Sequence, residues 1–570
     1  MEKQWKLRKE FIKKKRVFPE LEKATEQILL NKGFKNEQEL EAFFIPDYDK
    51  NLHDPFRLND MEKAVQRTLK ARKDKEKVCI FGDYDADGVT ASAVLSVFFA
   101  DELKLNSFCY IPDREEEGYG MNEKAIDFIK KQGATLIITV DCGITNMEEV
   151  AYANQKKIDV IILDHHNVLD EVPNALAVID PKNPKEKKYP FRELAGVGVA
   201  FKFIQGLAIK SDKINEEKLK WYLDLVAIGT VADCVPLINE NRTLVKFGLM
   251  VLAKTKRVGL RQLFQVGRMK IGESELPSAD QIGYQIAPRI NAAGRMKHAN
   301  IALDLLLEKD ESKANKLAEE IEIQNKERQK VTADIIKKVK KEIDAMEELP
   351  QVIIKSSSKW KIGIIGLSAG RLVEEYARPV ILLQEKGDIC RGSGRSIPGF
   401  NLVGALQKQE KILKKYGGHD QAAGLTVAKK KFEEFKETFL KNAKKDIPDK
   451  ITKIIEIDVN LKFEDVTNKL CEELSMLEPF GKGNELPVLS LEKLKIKDKR
   501  LLGKGEKHLK LWVSDENSLK TFEAIGFGFG ENSIGLKVGD KIDLLFNLEK
   551  NNWNGNSSLQ LKIIDYKKAK

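Results

Sequence analysis

Between residues 78 and 180, short apolar runs of strand length alternate with amphipathic segments of helical spacing. The runs are Val78 to Phe81, Ser107 to Ile111, Leu136 to Val140 and Val160 to Leu163. This rhythm predicts a parallel α/β sheet. In such sheets ligands gather beyond the carboxyl ends of the strands, and here the runs open onto reactive side chains. The first leads into Asp83, Asp85 and Asp87, the third into Asp141-Cys-Gly, and the fourth into Asp164-His165-His166. A later apolar stretch, Leu225 to Val231, ends at Asp233.

The flanking patterns differ. Residues 1–50 carry helical spacing at Leu21, Ile28, Leu29 and Phe34 and predict an N-terminal helical segment. Residues 51–310 form the first α/β domain. Glu311 to Met346 predicts one long charged helix with apolar positions at Leu317, Ile321, Val331, Ile335, Val339 and Ile343. That helix is a rigid connector or a coiled-coil dimer arm; without a strict heptad the connector, and a monomer, is the preferred reading. A second α/β domain over 347–450 opens with Val352 to Ile354, Ile362 to Ile365 and Val380 to Leu383. From 451 to 570 the chain turns to short strands separated by turns, which predicts a small β-barrel.

Three carboxylates within five residues set a chemical problem. If the segment is extended, Asp83, Asp85 and Asp87 share one side, where like charges repel unless a cation or solvent neutralises them. The alternative is an acidic turn capping the helix predicted from Val89 to Ala100. One such turn decides little, but four acidic or His-bearing ends in one α/β unit point to a metal centre. Mixed carboxylate and imidazole donors suit Mn²⁺, and carboxylate-rich sites also suit Mg²⁺. Two ions about 4 Å apart could activate water for phosphoester hydrolysis, with one carboxylate bridging them.

A chain of 570 residues exceeds a single core, so several domains are expected. No apolar run approaches the roughly 20 residues of a membrane span, and the start lacks a secretory signal, so a cytoplasmic protein is expected. Six scattered cysteines contain no CxxC pair and are expected to be reduced. The net charge of +10 suits a polyanionic partner or simply a Lys-rich surface.

Gly82-Asp-Tyr-Asp-Ala-Asp-Gly88, Val140-Asp-Cys-Gly143, Asp164-His-His166 and Ala232-Asp233 resemble the successive motifs of the DHH phosphoesterase superfamily. Their order is most similar to that of the bacterial RecJ single-strand-specific exonucleases. The resemblance implies that Asp85 and Asp87 each hold a metal, Asp141 bridges, His165 and Asp233 complete the shells, and His166 works beside the substrate phosphate. Several relatives place a metal-binding His where this chain has Phe81; Asp83 is then the candidate substitute ligand. Arg114, in Pro112-Asp-Arg-Glu-Glu-Glu-Gly, reads as a phosphate contact or as a surface Arg paired with Glu115 to Glu117. In Ile286-Ala-Pro-Arg-Ile-Asn-Ala-Ala-Gly-Arg295, Arg289, Asn291 and Arg295 resemble a substrate-facing turn.

The second α/β domain resembles the DHH-associated domain through Cys390-Arg-Gly-Ser-Gly-Arg-Ser396 and Tyr416-Gly-Gly-His-Asp-Gln-Ala-Ala-Gly424. Ser393, Arg395 and Ser396 offer donors to a phosphate; the resemblance implies that Ser393 and Arg395 belong to the pocket for the terminal 5′ phosphate, that the Gly417-Gly418-His419 motif faces the metal centre, and that His419 contacts substrate near the scissile phosphate. The barrel resembles an OB-fold, in which Trp512, Phe527 and Trp553 either stack on bases or fill the core. The implied activity is metal-dependent 5′ to 3′ hydrolysis of single-stranded DNA, using two divalent ions, Mn²⁺ or Mg²⁺. A helicase and a single-strand-binding protein are the implied partners. The rival readings are a small-oligonucleotide phosphatase and a non-catalytic replication scaffold.

Overall fold

A computed structural model describes residues 3–9, 16–168, 171–211, 213–272, 276–447, 452–516, 518–553 and 556–569, less the side chains at 532, 552, 553 and 556. Two compact units result: Leu52–Pro236 with Glu240–Ile451, and Glu2–Asn51 with Leu237–Asn239 and Thr452–Lys570.

The first unit begins with a five-stranded parallel sheet in the order Ser107–Tyr110, Lys77–Gly82, Ala134–Val140, Asp159–Leu163, Ala177–Ile179. Val78, Cys79, Ile80 and Phe81 are all fully buried, as expected of strands covered on both faces. The helices Glu123–Lys131 and Met147–Gln155 cover one face through Ile126, Ile129 and Val150. Ala86–Val97 and Gly196–Ile209 cover the other.

The apolar stretch before Asp233 is a helix, Leu223–Ala232, with Asp233 as its C-cap. It is enclosed by its neighbours for most of its length, so it shows the unbroken apolar run of a buried strand. Ile362 to Ile365, expected as a strand, likewise opens the helix Ile362–Tyr376. Ile286 to Arg295 forms a helix, Ala287–Met296, rather than a turn.

The long helix runs Glu311–Asp344, with Asp310 capping it through a hydrogen bond from the Lys313 N–H. Its apolar stripe is occupied within the chain. The helices Val258–Val266 and Ala287–Met296 pack along it, and so does Ile362–Tyr376, where Ile335, Val339 and Ile343 share a core with Ile364, Ile365 and Leu372.

The rest of this unit is a second five-stranded sheet, in the order Leu413–His419, Ala422–Ala428, Ile389–Arg395, Val380–Lys386, Ile353–Ser357. The last pair is parallel and the others antiparallel. The two glycine-rich motifs thus lie on strands rather than in loops.

In the second unit, Leu489–Leu502 pairs with both His508–Ser514 and Lys541–Trp553, which closes the strands into a barrel. Residues 3–51 belong to this unit and depart from an all-helical lead. Lys3–Leu7 is a strand paired in parallel with Lys453–Ile457, and Phe18, Ile28 and Leu29 enter the barrel core. A partner some 450 residues away leaves no trace in local periodicity. Trp512 is half-buried beneath Arg500 and Lys510, each 4.8 Å from its ring, and Phe527 is exposed. The Trp553 side chain lies outside the described residues. No helix among the described residues is long and apolar enough to cross a membrane.

Candidate metal centre

Sheet register brings the acids together. Gly82 pairs with Val140, Val140 with Leu163, and Leu163 with Ile179. The next residue on each strand is Asp83, Asp141, Asp164 or Asp180, so four carboxylates leave the sheet from one row. Asp141 turns at once into the left-handed region, with φ of 59°, a conformation that costs a non-glycine residue about 1 kcal/mol or more. Its N–H donates to Leu163 O at 3.0 Å.

The extended Asp83–Asp87 segment expected from alternation does not form. The strand ends at Gly82, and Asp85 caps the helix Ala86–Val97 by accepting from the Asp87 and Gly88 N–H groups at 2.9 and 3.1 Å. Asp87 lies in that helix's first turn. Both its oxygens accept from a second helix start, Gly196 N at 2.7 Å and Val197 N at 2.8 Å. A Cβ on Gly196 would lie 2.7 Å from the Asp141 Cβ, so only glycine lets this helix seat against the acids.

At the centre, His165 Nε2 lies 3.1 Å from Asp141 Oδ1, 3.6 Å from Asp233 Oδ2 and 3.9 Å from Asp87 Oδ2. Three groups of donor atoms converge within 4.8 Å: Asp83, Asp85 and Asp141; Asp87, His165 and Asp233; Asp141, His165 and His166. Asp141 belongs to two of them. Burial, then the Asp85 charge, pushes the Asp83 carboxyl up to about 8. Burial and the facing acids push Asp87 and Asp141 well above the carboxylate range, while burial and His166 push His165 down to about 3. Asp83 Oδ1 is buried without a hydrogen-bond partner. Excess buried negative charge, an orphaned carboxylate oxygen and a neutral imidazole together fit divalent cations.

Behind this centre, Asp164 is fully buried and accepts from the Ile144 and His165 N–H groups at 2.9 and 2.7 Å and from His166 Nδ1 at 2.8 Å. Burial opposes protonation of His166, but Asp164 overrides it and raises the imidazole to about 9. Tyr119 Oη donates to Asp141 O at 3.2 Å and stands 3.3 Å from His166 Nδ1. Phe81 points away, fully buried and stacked on Tyr110 with centroids 5.4 Å apart.

Arg114 pairs with none of Glu115 to Glu117 among the described residues. Its guanidinium lies over the Tyr84 ring at 3.9 Å, with Nε buried and unpartnered. Arg295 donates to Gly363 O at 3.1 Å and is lowered to about 10 by burial and by Arg114. Asn291 accepts from Ala86 N at 2.9 Å, which holds the aspartate loop. Arg289 is engaged by Glu322 of the long helix at 2.8 Å and by Gln285 O at 2.7 Å.

Arg395 Nη1 donates to Ser393 Oγ at 3.0 Å, beside Gly366. Ser396 is buried and donates to Phe400 O at 2.9 Å. Gly417, Gly418 and His419 are exposed on their strand, and none is bonded to the acidic row among the described contacts. Asp164, Asp180 and Tyr119 went unassigned in the sequence. Asp180 follows an apolar strand as the other acids do, but the run Ala177–Ile179 is too short to announce itself.

Comparison with known proteins identifies three domains. Residues 77–230 match the DHH family N-terminal domain, 349–445 the DHHA1 domain and 457–565 the RecJ OB domain. The single-stranded-DNA-specific exonuclease RecJ of Bacillus subtilis is 37% identical over 94% of this chain and 67% of its own length. That of Haemophilus influenzae is 32% identical over 91% of this chain and 92% of its own. The crystal structure of RecJ in complex with Mn²⁺ from Thermus thermophilus superposes with a TM-score of 0.83 at 27% identity, covering 100% of this chain and 80% of that one. The chain belongs to the RecJ family of single-stranded-DNA-specific exonucleases.

Proposed function

We propose that this chain hydrolyses single-stranded DNA from its 5′ end, releasing 5′ mononucleotides in DNA repair and recombination. The observation that carries the reading is the convergence of Asp83, Asp85 and Asp141, and of Asp87, His165 and Asp233, in two groups whose donor atoms each lie within 4.8 Å of one another. Asp87, His165 and Asp233 would hold one divalent ion, Asp83 and Asp85 the other, with Asp141 between them. Mn²⁺ or Mg²⁺ bound there supplies an activated water and offsets the phosphodiester charge.

The chain's own groups do the rest. His166, kept protonated by Asp164, and Arg114, fixed over Tyr84, present cationic donors to the scissile phosphate, with His419 and the glycines before it on the opposite wall. Arg295, Ser393 and Arg395 take the terminal 5′ phosphate, and that contact defines polarity. Attack by water on phosphorus breaks the P–O3′ bond and leaves a 5′ phosphate on the shortened strand, so every round presents the same anchor. A cytoplasmic helicase and single-strand-binding protein would supply the strand.

The test follows 5′- and 3′-labelled single strands with Mn²⁺, Mg²⁺ or chelator. Mononucleotides should leave the 5′ label first, only with metal, and a strand without a 5′ phosphate should degrade more slowly. Release from the 3′ label first, or metal-independent cleavage, contradicts the reading.

A further inference from the structure

The second sheet presents three register rows on one face. His419, Ala422 and Arg395 form the first, and Gly417, Gly424 and Ser393 the second. Lys415, Thr426 and Arg391 form the third. Alternate residues of a strand share a face, so all nine positions lie on the side where Ser393 and Arg395 meet Gly366. Only the first two rows have a part in the function proposed above.

A Cβ on Gly417 would meet nothing within 4 Å, and one on Gly424 only Gly392 O at 4.0 Å. Neither has the positive φ that would require glycine. The middle row is therefore a bare floor that the protein's own packing does not demand. Beyond it, Lys415, Thr426 and Arg391 line a cavity of about 320 Å³ together with Gly417, Gly424 and Ile362. Neither Lys415 nor Arg391 forms an ion pair among the described residues; Arg391 donates to the Glu115 carbonyl at 3.1 Å, which ties this row to the loop that carries Arg114. Two cations and a hydroxyl around an open floor form a receptor for a phosphate.

The geometry points to Lys415, Thr426 and Arg391 as a further phosphate subsite, which holds a backbone phosphate of the single strand beyond the scissile one. This subsite rests on the exonuclease reading. A strand whose scissile phosphate faces His419 and Gly417 crosses the glycine floor to reach it, about 6.8 Å beyond the middle row. A 5′-phosphorylated dinucleotide, whose only internal phosphate is the scissile one, is too short to use it.

Steady-state cleavage by the full chain in Mn²⁺ tests this with a 5′-phosphorylated 20-mer and the corresponding dinucleotide. Lys415→Ala should raise KM for the 20-mer on the order of tenfold at unchanged kcat, and lower the salt dependence of log kcat/KM by about 0.7. The dinucleotide should be cleaved as by wild type, and Lys415→Arg should restore the 20-mer. Thr426→Val, which removes the hydroxyl of the same row, should raise the 20-mer KM in the same direction and spare the dinucleotide. An unchanged 20-mer KM, or an equal loss on the dinucleotide, overturns the subsite. A wild-type chain that degraded no single strand would overturn the exonuclease reading, and the subsite with it.

Discussion

His165 Nε2 stands 3.1 Å from Asp141 Oδ1, although the two residues follow the ends of different strands and lie 24 positions apart. Asp141 is shared between two of the three donor groups, and it reaches them only through its left-handed backbone at the strand end. Asp141→Ala should therefore reduce cleavage of a labelled single strand by at least about 100-fold. Removing one of several mutually repelling buried acids should also leave the chelated variant more stable than chelated wild type, by on the order of 1 kcal/mol. The labelled-strand assay reads the first effect and thermal melts in chelator the second.

The raised acids give a pH dependence with a definite sign. Burial holds Asp83 near 8, and Asp87 and Asp141 are also pushed up, so the folded apoprotein binds more protons than the unfolded chain above about pH 4. Its stability is then lost as pH rises toward 8. Mn²⁺ requires the deprotonated donors, so it should raise the melting temperature more at pH 8 than at pH 6. A shift independent of pH would contradict the charge balance described for this centre.

Asp164 belongs to none of the three donor groups yet sets the charge of His166. In Asp164→Asn the His166 resonance of the chelated protein should titrate well below about 9, the value to which Asp164 raises it. Cleavage should fall in parallel. The NMR titration separates this effect from a general loss of structure.

Asn291 accepts the Ala86 N–H on the aspartate loop. Asn291→Ala should lower Mn²⁺ affinity by about 10- to 100-fold and stability by about 1–2 kcal/mol. At saturating Mn²⁺ the KM for DNA should stay near that of wild type. A changed KM with unchanged metal affinity would return Asn291 to the substrate-facing role that its motif suggests.

Phe81 stands at the position where the superfamily resemblance leads one to expect a metal-binding His, but its ring is in the core against Tyr110. Phe81→His should destabilise the protein by about 2–4 kcal/mol without tightening Mn²⁺ binding. Calorimetric titration and a denaturant melt would show both.

The sequence alone was sufficient for the α/β rhythm, the long helix, the barrel strands and the identity of the acidic motifs, because each is written in local periodicity or in contiguous residues. Where several sides of an element are buried, local pattern loses its meaning. The enclosed helix Leu223–Ala232 and the first turn of Ile362–Tyr376 therefore show apolar runs that a buried strand would share. Lys3–Leu7 is a strand only because Lys453–Ile457 lies beside it. The alignment of Asp83, Asp141, Asp164 and Asp180 needs hydrogen-bond register between strands, and the clamp on Asp87 needs a second helix start. The motifs name the donors; their mutual distances, and which guanidinium is engaged by Glu322 and which lies over Tyr84, depend on residues far apart in the chain and exist only in the folded state.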